Sequence, residues 1–187
     1  MTQNTLFLAM LAFSFLSCQN KSATANNPSE NRTTMTSSTH STNPYYSRTD
    51  TTALDLPDSV WRKVLPDSVY AVARGKATEE AFTGKYWNTT GTGTYFCAAC
   101  GNLLFRSDAK FASTCGWPSF FETLRKTSVI YRADTSYGMN RTEVLCGRCG
   151  AHLGHLFDDG PPPTGKRYCM NSIVLDFVPD DSRRVGQ

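Results

Sequence analysis

Two short units constrain this chain more than any other feature: C-A-A-C-G at 97–101 and C-G-R-C-G at 146–150. Each is Cys-x-x-Cys followed by Gly, the form of a tight turn that presents two thiolates to one ion. The glycine lets the backbone double back with its amides toward sulfur. Two such turns make a closed tetrahedral site of Cys97, Cys100, Cys146 and Cys149, which leaves no open position and is therefore structural. The expected cofactor is one structural Zn2+ per chain. Iron also accepts four thiolates. A rival set, Cys146, Cys149, His152 and His155, strands Cys97 and Cys100 without a partner. A disulfide framework is a further alternative, with fifteen pairings of six cysteines, but Cys-x-x-Cys pairs at turns are poor sources of long-loop stabilisation.

The seventh cysteine, Cys18, belongs to a leader. Residues 6–17, L-F-L-A-M-L-A-F-S-F-L-S, form an apolar run too short to span a bilayer as a helix. The run matches the apolar stretch of a secretory signal. F-L-S-C at its end resembles a bacterial lipoprotein signal, which implies lipid attachment at Cys18; an ordinary signal peptide with an incidental cysteine is the alternative. From Gln19 to about Thr52, Ser, Thr and Asn dominate, and such a stretch cannot bury enough apolar surface to offset its ordering entropy. The expected division is a signal peptide at 1–17, a lipidated Cys18 with a flexible tether to 53, a folded domain at 54–180 and a tail at 181–187. An exported protein held on a membrane by its lipid, facing the periplasm, follows as an expectation. His40, alone in the tether, is assigned nothing.

Within the folded part, P-D-S-V-W-R-K-V and L-P-D-S-V-Y-A-V-A-R-G read as two short helices, with Gly75 as a stop. Beyond Gly93 the segments T-Y-F-C, N-L-L-F, S-V-I-Y-R-A, T-E-V-L-C, R-Y-C-M-N and S-I-V-L-D-F-V are short, β-rich and bounded by turn residues. Residues 158–166, D-D-G-P-P-P-T-G-K, are a loop because successive prolines cannot feed a sheet ladder. The expected fold is mainly β and antiparallel with a small helical N-terminal part. Nineteen Lys+Arg against 16 Asp+Glu leave only +3, too little to argue for nucleic acid.

Subtracting one cysteine for the leader and four for metal leaves Cys115 and Cys169, either a structural disulfide or a working redox pair. Side chains two apart in a strand share a face. In R-Y-C-M-N this puts Arg167, Cys169 and Asn171 together. A guanidinium beside a thiol favours thiolate. The next segment, A-H-L-G-H-L-F-D-D-G, carries His152 and His155, imidazoles suited to moving protons near neutrality, and Asp159 is placed to orient one of them. S-T-C-G-W-P-S-F sets Cys115 in a glycine- and proline-containing loop beside Trp117, whose indole suits the apolar wall of a small pocket.

T-E-E-A-F-T-G-K-Y-W-N, Y-F-C-A-A-C-G-N-L-L-F, K-F-A-S-T-C-G-W-P-S-F and C-G-R-C-G-A-H-L-G-H-L-F-D-D-G-P-P-P-T-G-K-R-Y-C-M-N-S, spread over residues 78–172, together resemble the methionine-R-sulfoxide reductases of the B type. The resemblance implies a fold of two antiparallel sheets with zinc held by the four paired cysteines. It implies Cys169 as nucleophile, Cys115 as resolving cysteine, His152, His155 and Asn171 as the groups that bind and protonate the sulfoxide oxygen, Arg167 as the group that helps keep Cys169 ionised, and Trp117, Phe157 and Asp159 as substrate contacts. It further implies reduction of oxidised methionine in proteins through a Cys169 sulfenic acid and a Cys115–Cys169 disulfide. A thioredoxin-like donor recycles that disulfide, and the enzyme is a monomer. Two departures stand out: Thr114 replaces a common Gly, and N-S-I-V-L replaces the more usual N-S-A-S-L.

Two other classes compete. A zinc-stabilised β binding module with a permanent Cys115–Cys169 disulfide needs neither the Arg-Cys-Asn face nor the paired histidines. A general thiol peroxidase or disulfide reductase would place its nucleophile in a Cys-x-x-Cys beside a helix, and both such pairs here read as metal ligands.

Overall fold

The apolar alternation of the short segments builds two antiparallel sheets, seen in a computed structural model that describes residues 42–180. The expected signal peptide, Cys18, the expected tether as far as residue 41 and the expected tail at 181–187 lie outside the described residues. Two helices come first, α1 (Asp58–Val64) and α2 (Asp67–Ala73), each preceded by proline. Proline's fixed φ and missing N–H suit a helix entrance. Among the described residues no helix is long and apolar enough to cross a membrane.

Nine strands follow: β1 (Gly93–Cys97), β2 (Leu103–Arg106), β3 (Lys110–Phe111), β4 (Ser119–Phe120), β5 (Val129–Asp134), β6 (Arg141–Cys146), β7 (His152–Phe157), β8 (Arg167–Met170) and β9 (Leu175–Pro179). One sheet has the order β2-β1-β9, the other β3-β4-β8-β7-β6-β5. The mainly antiparallel β expectation holds. S-I-V-L-D-F-V is not one strand, because Ser172–Val174 form a 3-10 turn before β9. β3 and β4 are two residues each, too short to carry a period. β7 was masked by its glycine and two histidines, which hide the apolar alternation of a strand.

Aromatic side chains fill the core. Phe105 and Phe120 stack at 4.3 Å with an 11° interplanar angle, and Tyr95 meets Phe120 edge-on at 5.0 Å. Each such burial contributes about 1.5–3 kcal/mol of transfer free energy. Trp61 carries α1 into the same core.

The packed chain starts earlier than the boundary expected at residue 54. Asn43 is buried and donates from Nδ2 to the Ala99 carbonyl at 2.9 Å, and Ser47 N–H donates to Cys100 O at 3.0 Å. One cause is Arg148, inside the second Cys-x-x-Cys and itself buried. Its Nη1 donates to Tyr45 O at 3.1 Å and Cys100 O at 2.5 Å, its Nε to Thr52 O at 3.1 Å, and its Nη2 to Asp50 at 2.8 Å. The arm is thus held both by a guanidinium with five N–H donors to satisfy and by Tyr45, Leu54 and Leu56, which pack against the core. Arg148→Met is expected to destabilise the protein by about 1–3 kcal/mol, because it removes the donor side of four hydrogen bonds that tie the arm to the second ligand turn. Urea unfolding would read this as a lower midpoint at constant slope; an unchanged midpoint would show that the arm is not held this way.

Candidate active site

The two Cys-x-x-Cys-Gly turns are near copies. Cys97 N–H donates to Asn102 O and Cys146 N–H to Ala151 O, both at 2.8 Å. Gly101 and Gly150 follow with φ of +79° and +68°, the left-handed backbone that glycine adopts without a Cβ penalty. Their N–H groups return to Cys97 O and Cys146 O at 2.7 and 2.9 Å. The turns converge, with Cys97 and Cys149 sulfurs 3.9 Å apart and Cys100 and Cys146 sulfurs 3.6 Å apart. All four sulfurs lie within 4.8 Å of one another and are buried. Four buried thiols at that separation suit one tetrahedral ion with M–S bonds of about 2.3 Å. The rival set falls, since His152 and His155 are tied to carboxylates elsewhere.

The remaining thiols meet at the other functional centre. β8 lies between β4 and β7, and Cys169 is in register with Ser119 on one side and His155 on the other. Ser119 draws in the loop that carries Cys115, whose Sγ comes to 3.6 Å from Cys169 Sγ. Alternation along β8 holds: Tyr168 and Met170 are buried in the core, while Arg167 and Cys169 are partly exposed on the opposite face.

A hollow of about 130 Å³ opens at Cys169, lined by Thr78, Trp117, Arg141, Gly154, His155, Phe157, Cys169 and Asn171. It is smaller than the roughly 300–1,000 Å³ of sites for whole small molecules. It therefore suits the end of one side chain. Three larger hollows of about 300–460 Å³ lie elsewhere and contain neither Cys115 nor Cys169.

Several expected roles are redistributed. Asp159 does not orient a histidine; it forms a two-pronged pair with Arg167, Oδ1 to Nε at 2.7 Å and Oδ2 to Nη2 at 2.8 Å. The Arg167 guanidinium also lies over the Phe157 ring, 4.3 Å from its centroid. Asn171 does not simply share the Cys169 face, because β8 ends at Met170. Its buried amide accepts from Glu79 N–H at 3.0 Å and donates to Leu153 O at 3.1 Å. His152 sits behind His155, ring centroids 5.4 Å apart, and does not line the hollow.

Three acidic residues were missed from sequence. Glu143, buried, takes His152 Nδ1 at 2.8 Å and Lys76 Nζ at 2.9 Å. Asp134 Oδ2 takes His155 Nε2 at 2.7 Å and Arg141 Nη2 at 2.6 Å. The Glu79 carboxylate accepts the Ser172 and Ile173 N–H groups, while its carbonyl takes Trp117 Nε1–H at 3.1 Å. Only Glu143 left a signal, a charge inside an apolar strand, which demands a partner.

The two thiols differ in proton affinity. Burial pushes Cys169 up to about 12, helped by the Cys115 charge; Arg167 pulls the other way without prevailing. Arg167 thus favours the thiolate, as its place beside Cys169 implies, but desolvation is the larger effect. Burial also opposes ionisation of Cys115, but hydrogen bonds from Ser113 and Ser119 outweigh it and bring that thiol to about 7. Burial lowers the proton affinity of His152, although Glu143 opposes this. Asp134 is held ionised, well below the usual carboxylate range, by Ser136 first and His155 next.

Paired thiols at a side-chain-sized hollow, on a β framework braced by a four-cysteine centre, define the class. The chain belongs to the SelR domain family, whose model matches residues 65–179. It is 56% identical over 124 residues to a "Peptide methionine sulfoxide reductase MsrB" of Thiobacillus denitrificans, covering 66% of this chain and 94% of that one. A protein of the same name from Methanosarcina barkeri is 49% identical over 135 residues, covering 72% and 95%. Another, from Cellvibrio japonicus, is 55% identical over 121 residues, covering 64% and 86%.

Proposed function

We propose that this chain is a peptide-methionine (R)-S-oxide reductase, with Cys169 as nucleophile and Cys115 as resolving thiol. The reductase activity rests on the family and on its MsrB relatives. The observation that carries the roles is the 3.6 Å approach of the two sulfurs at the hollow. Oxidised methionine enters with its methyl sulfoxide end, and Trp117 and Phe157 supply apolar contact. Cys169 Sγ attacks the sulfoxide sulfur; the sulfoxide S–O bond and the transient S–S bond then break as the oxygen passes to Sγ, so that the sulfoxide is reduced by two electrons to the thioether and Cys169 is oxidised to the sulfenic acid. Cys115 thiolate then displaces hydroxide, released as water, and forms the disulfide. A thioredoxin-like dithiol restores both cysteines by exchange. Handedness of the hollow selects one sulfoxide epimer. Zinc at Cys97, Cys100, Cys146 and Cys149 braces the two sheets and takes no part in the reaction. A monomer, exported and held by lipid at Cys18 facing the periplasm, completes the proposal.

A single-turnover assay with separated R and S sulfoxides tests this, with the product mapped by mass. The expected result is methionine from the R epimer only, together with a Cys115–Cys169 disulfide. Equal reduction of both epimers, or a disulfide elsewhere, would overturn it.

A further inference from the structure

We propose that Asp134 and Arg141, outside the segments that matched any motif, are positioning residues that with His155 form a relay moving the Cys169 proton to the sulfoxide oxygen. The inference rests on the reading of Cys169 as nucleophile and adds to it the base that nucleophile needs. A thiol pushed up by burial does not ionise unaided near neutrality.

The geometry is specific. His155 and Cys169 are directly opposed on β7 and β8 and line one hollow. Opposed residues of an antiparallel pair have Cβ atoms about 4.5–5.5 Å apart, so the imidazole and the thiol stand side by side on the face that lines the hollow. His155 Nε2 lies 2.7 Å from Asp134 Oδ2. An ionised carboxylate only accepts, so Nε2 carries a hydrogen, and in the neutral ring Nδ1 is the nitrogen with the free lone pair. Arg141 Nη2 meets the same Oδ2 at 2.6 Å, and Ser136 donates to Oδ1 from both N–H, at 3.0 Å, and hydroxyl, at 2.6 Å. The carboxylate is thus fixed on both oxygens before substrate arrives. The other groups near His155 are satisfied separately: His152 by Glu143, and Glu143 also by Lys76.

The proton balance closes. Nδ1 takes the proton from Cys169 Sγ, and the resulting imidazolium is stabilised by Asp134. As Sγ bonds to the sulfoxide sulfur, Nδ1–H returns the proton to the sulfoxide oxygen; that hydroxyl then passes to Sγ as the transient S–S bond breaks, leaving thioether and sulfenic acid. Asp134 stays ionised throughout, holding the tautomer and orientation of the ring.

The test uses the Cys115→Ser protein, which has no second thiol to act as base. Single-turnover methionine release is measured together with 15N shifts of His155. The parent is expected to release methionine and to show the Nε2–H tautomer. Asp134→Asn, whose amide presents a donor to the ring, is expected to slow release by on the order of 10²–10⁴-fold and to populate the Nδ1–H tautomer. Asp134→Glu keeps the acceptor and is expected to recover most of that loss. Arg141→Gln is expected to slow release about tenfold with little change in half-saturating substrate. Asp134→Asn releasing methionine at the parent rate overturns the proposal, as does a slow variant with the tautomer unchanged, which marks a structural role. A parent that releases no methionine overturns both this proposal and the reading beneath it.

Discussion

Cys169→Ser is expected to abolish reduction of methionine-R-sulfoxide, a loss on the order of 10⁴-fold or more in turnover, while Cys115→Ser still releases about one methionine per enzyme and then stops. The two sulfurs are neighbours, yet their environments separate the roles. Cys169 lies in the strand that forms the floor of the hollow, opposite His155 and beside Trp117. Cys115 reaches it from the loop before β4 and does not line the hollow. A serine at 169 keeps the shape but offers a hydroxyl, which neither attacks sulfur well nor can be oxidised to a sulfenic acid. A serine at 115 leaves the first oxidation possible and removes only the thiol that clears it. Quantifying methionine per enzyme with and without a dithiol donor distinguishes the two variants. Multiple turnover by Cys169→Ser would sink the assignment, and so would Cys115→Ser cycling with thioredoxin at the wild-type rate.

The second large effect concerns the four-cysteine centre. Cys97→Ser or Cys146→Ser is expected to remove the bound metal and leave a chain without a cooperative unfolding transition. Apparent binding free energies of structural zinc in small domains are about 10–16 kcal/mol, as large as the roughly 5–15 kcal/mol of total stability of most proteins. The centre joins the turn after β1 to the turn after β6, and these strands belong to different sheets. Losing the ion frees both turns at once and leaves three thiols crowded in the core. Elemental analysis should find one zinc per chain, released with four titratable thiols on denaturation without reductant. A folded, active Cys97→Ser protein with an unchanged melting curve would show that the sheets do not need this brace. Denaturation that releases fewer than four thiols from these positions would favour disulfides.

What was legible in the sequence was whatever repeats or alternates. The paired Cys-x-x-Cys-Gly turns announced their own partners because the ligand spacing and the glycine are local. Arg167 and Cys169 share a face because β8 is regular. What escaped was set by tertiary approach. Asp134 lies 21 residues from His155 in sequence and meets it only because β5, β6 and β7 are adjacent. Asp159, four residues from His155, was nearer in sequence and went instead to Arg167 across the turn. Proximity along the chain misled because the strand carries His155 and Asp159 apart, while the hairpin return brings Arg167 back. Asn171 lines the hollow, but its amide is committed to Glu79 and Leu153, which no spacing in the sequence foretold.

The arm at 43–56 has a practical consequence. The stretch matched by the family begins at residue 65, yet Arg148 reaches back past it to the carbonyls of Tyr45 and Thr52. The hereditary unit and the folding unit therefore differ in length. A fragment cut at residue 54, or a chimera joined at 65, keeps every reacting group and all four metal ligands. It also strands a buried guanidinium beside the second ligand turn, so such a fragment pays for its missing arm in the solidity of its metal centre.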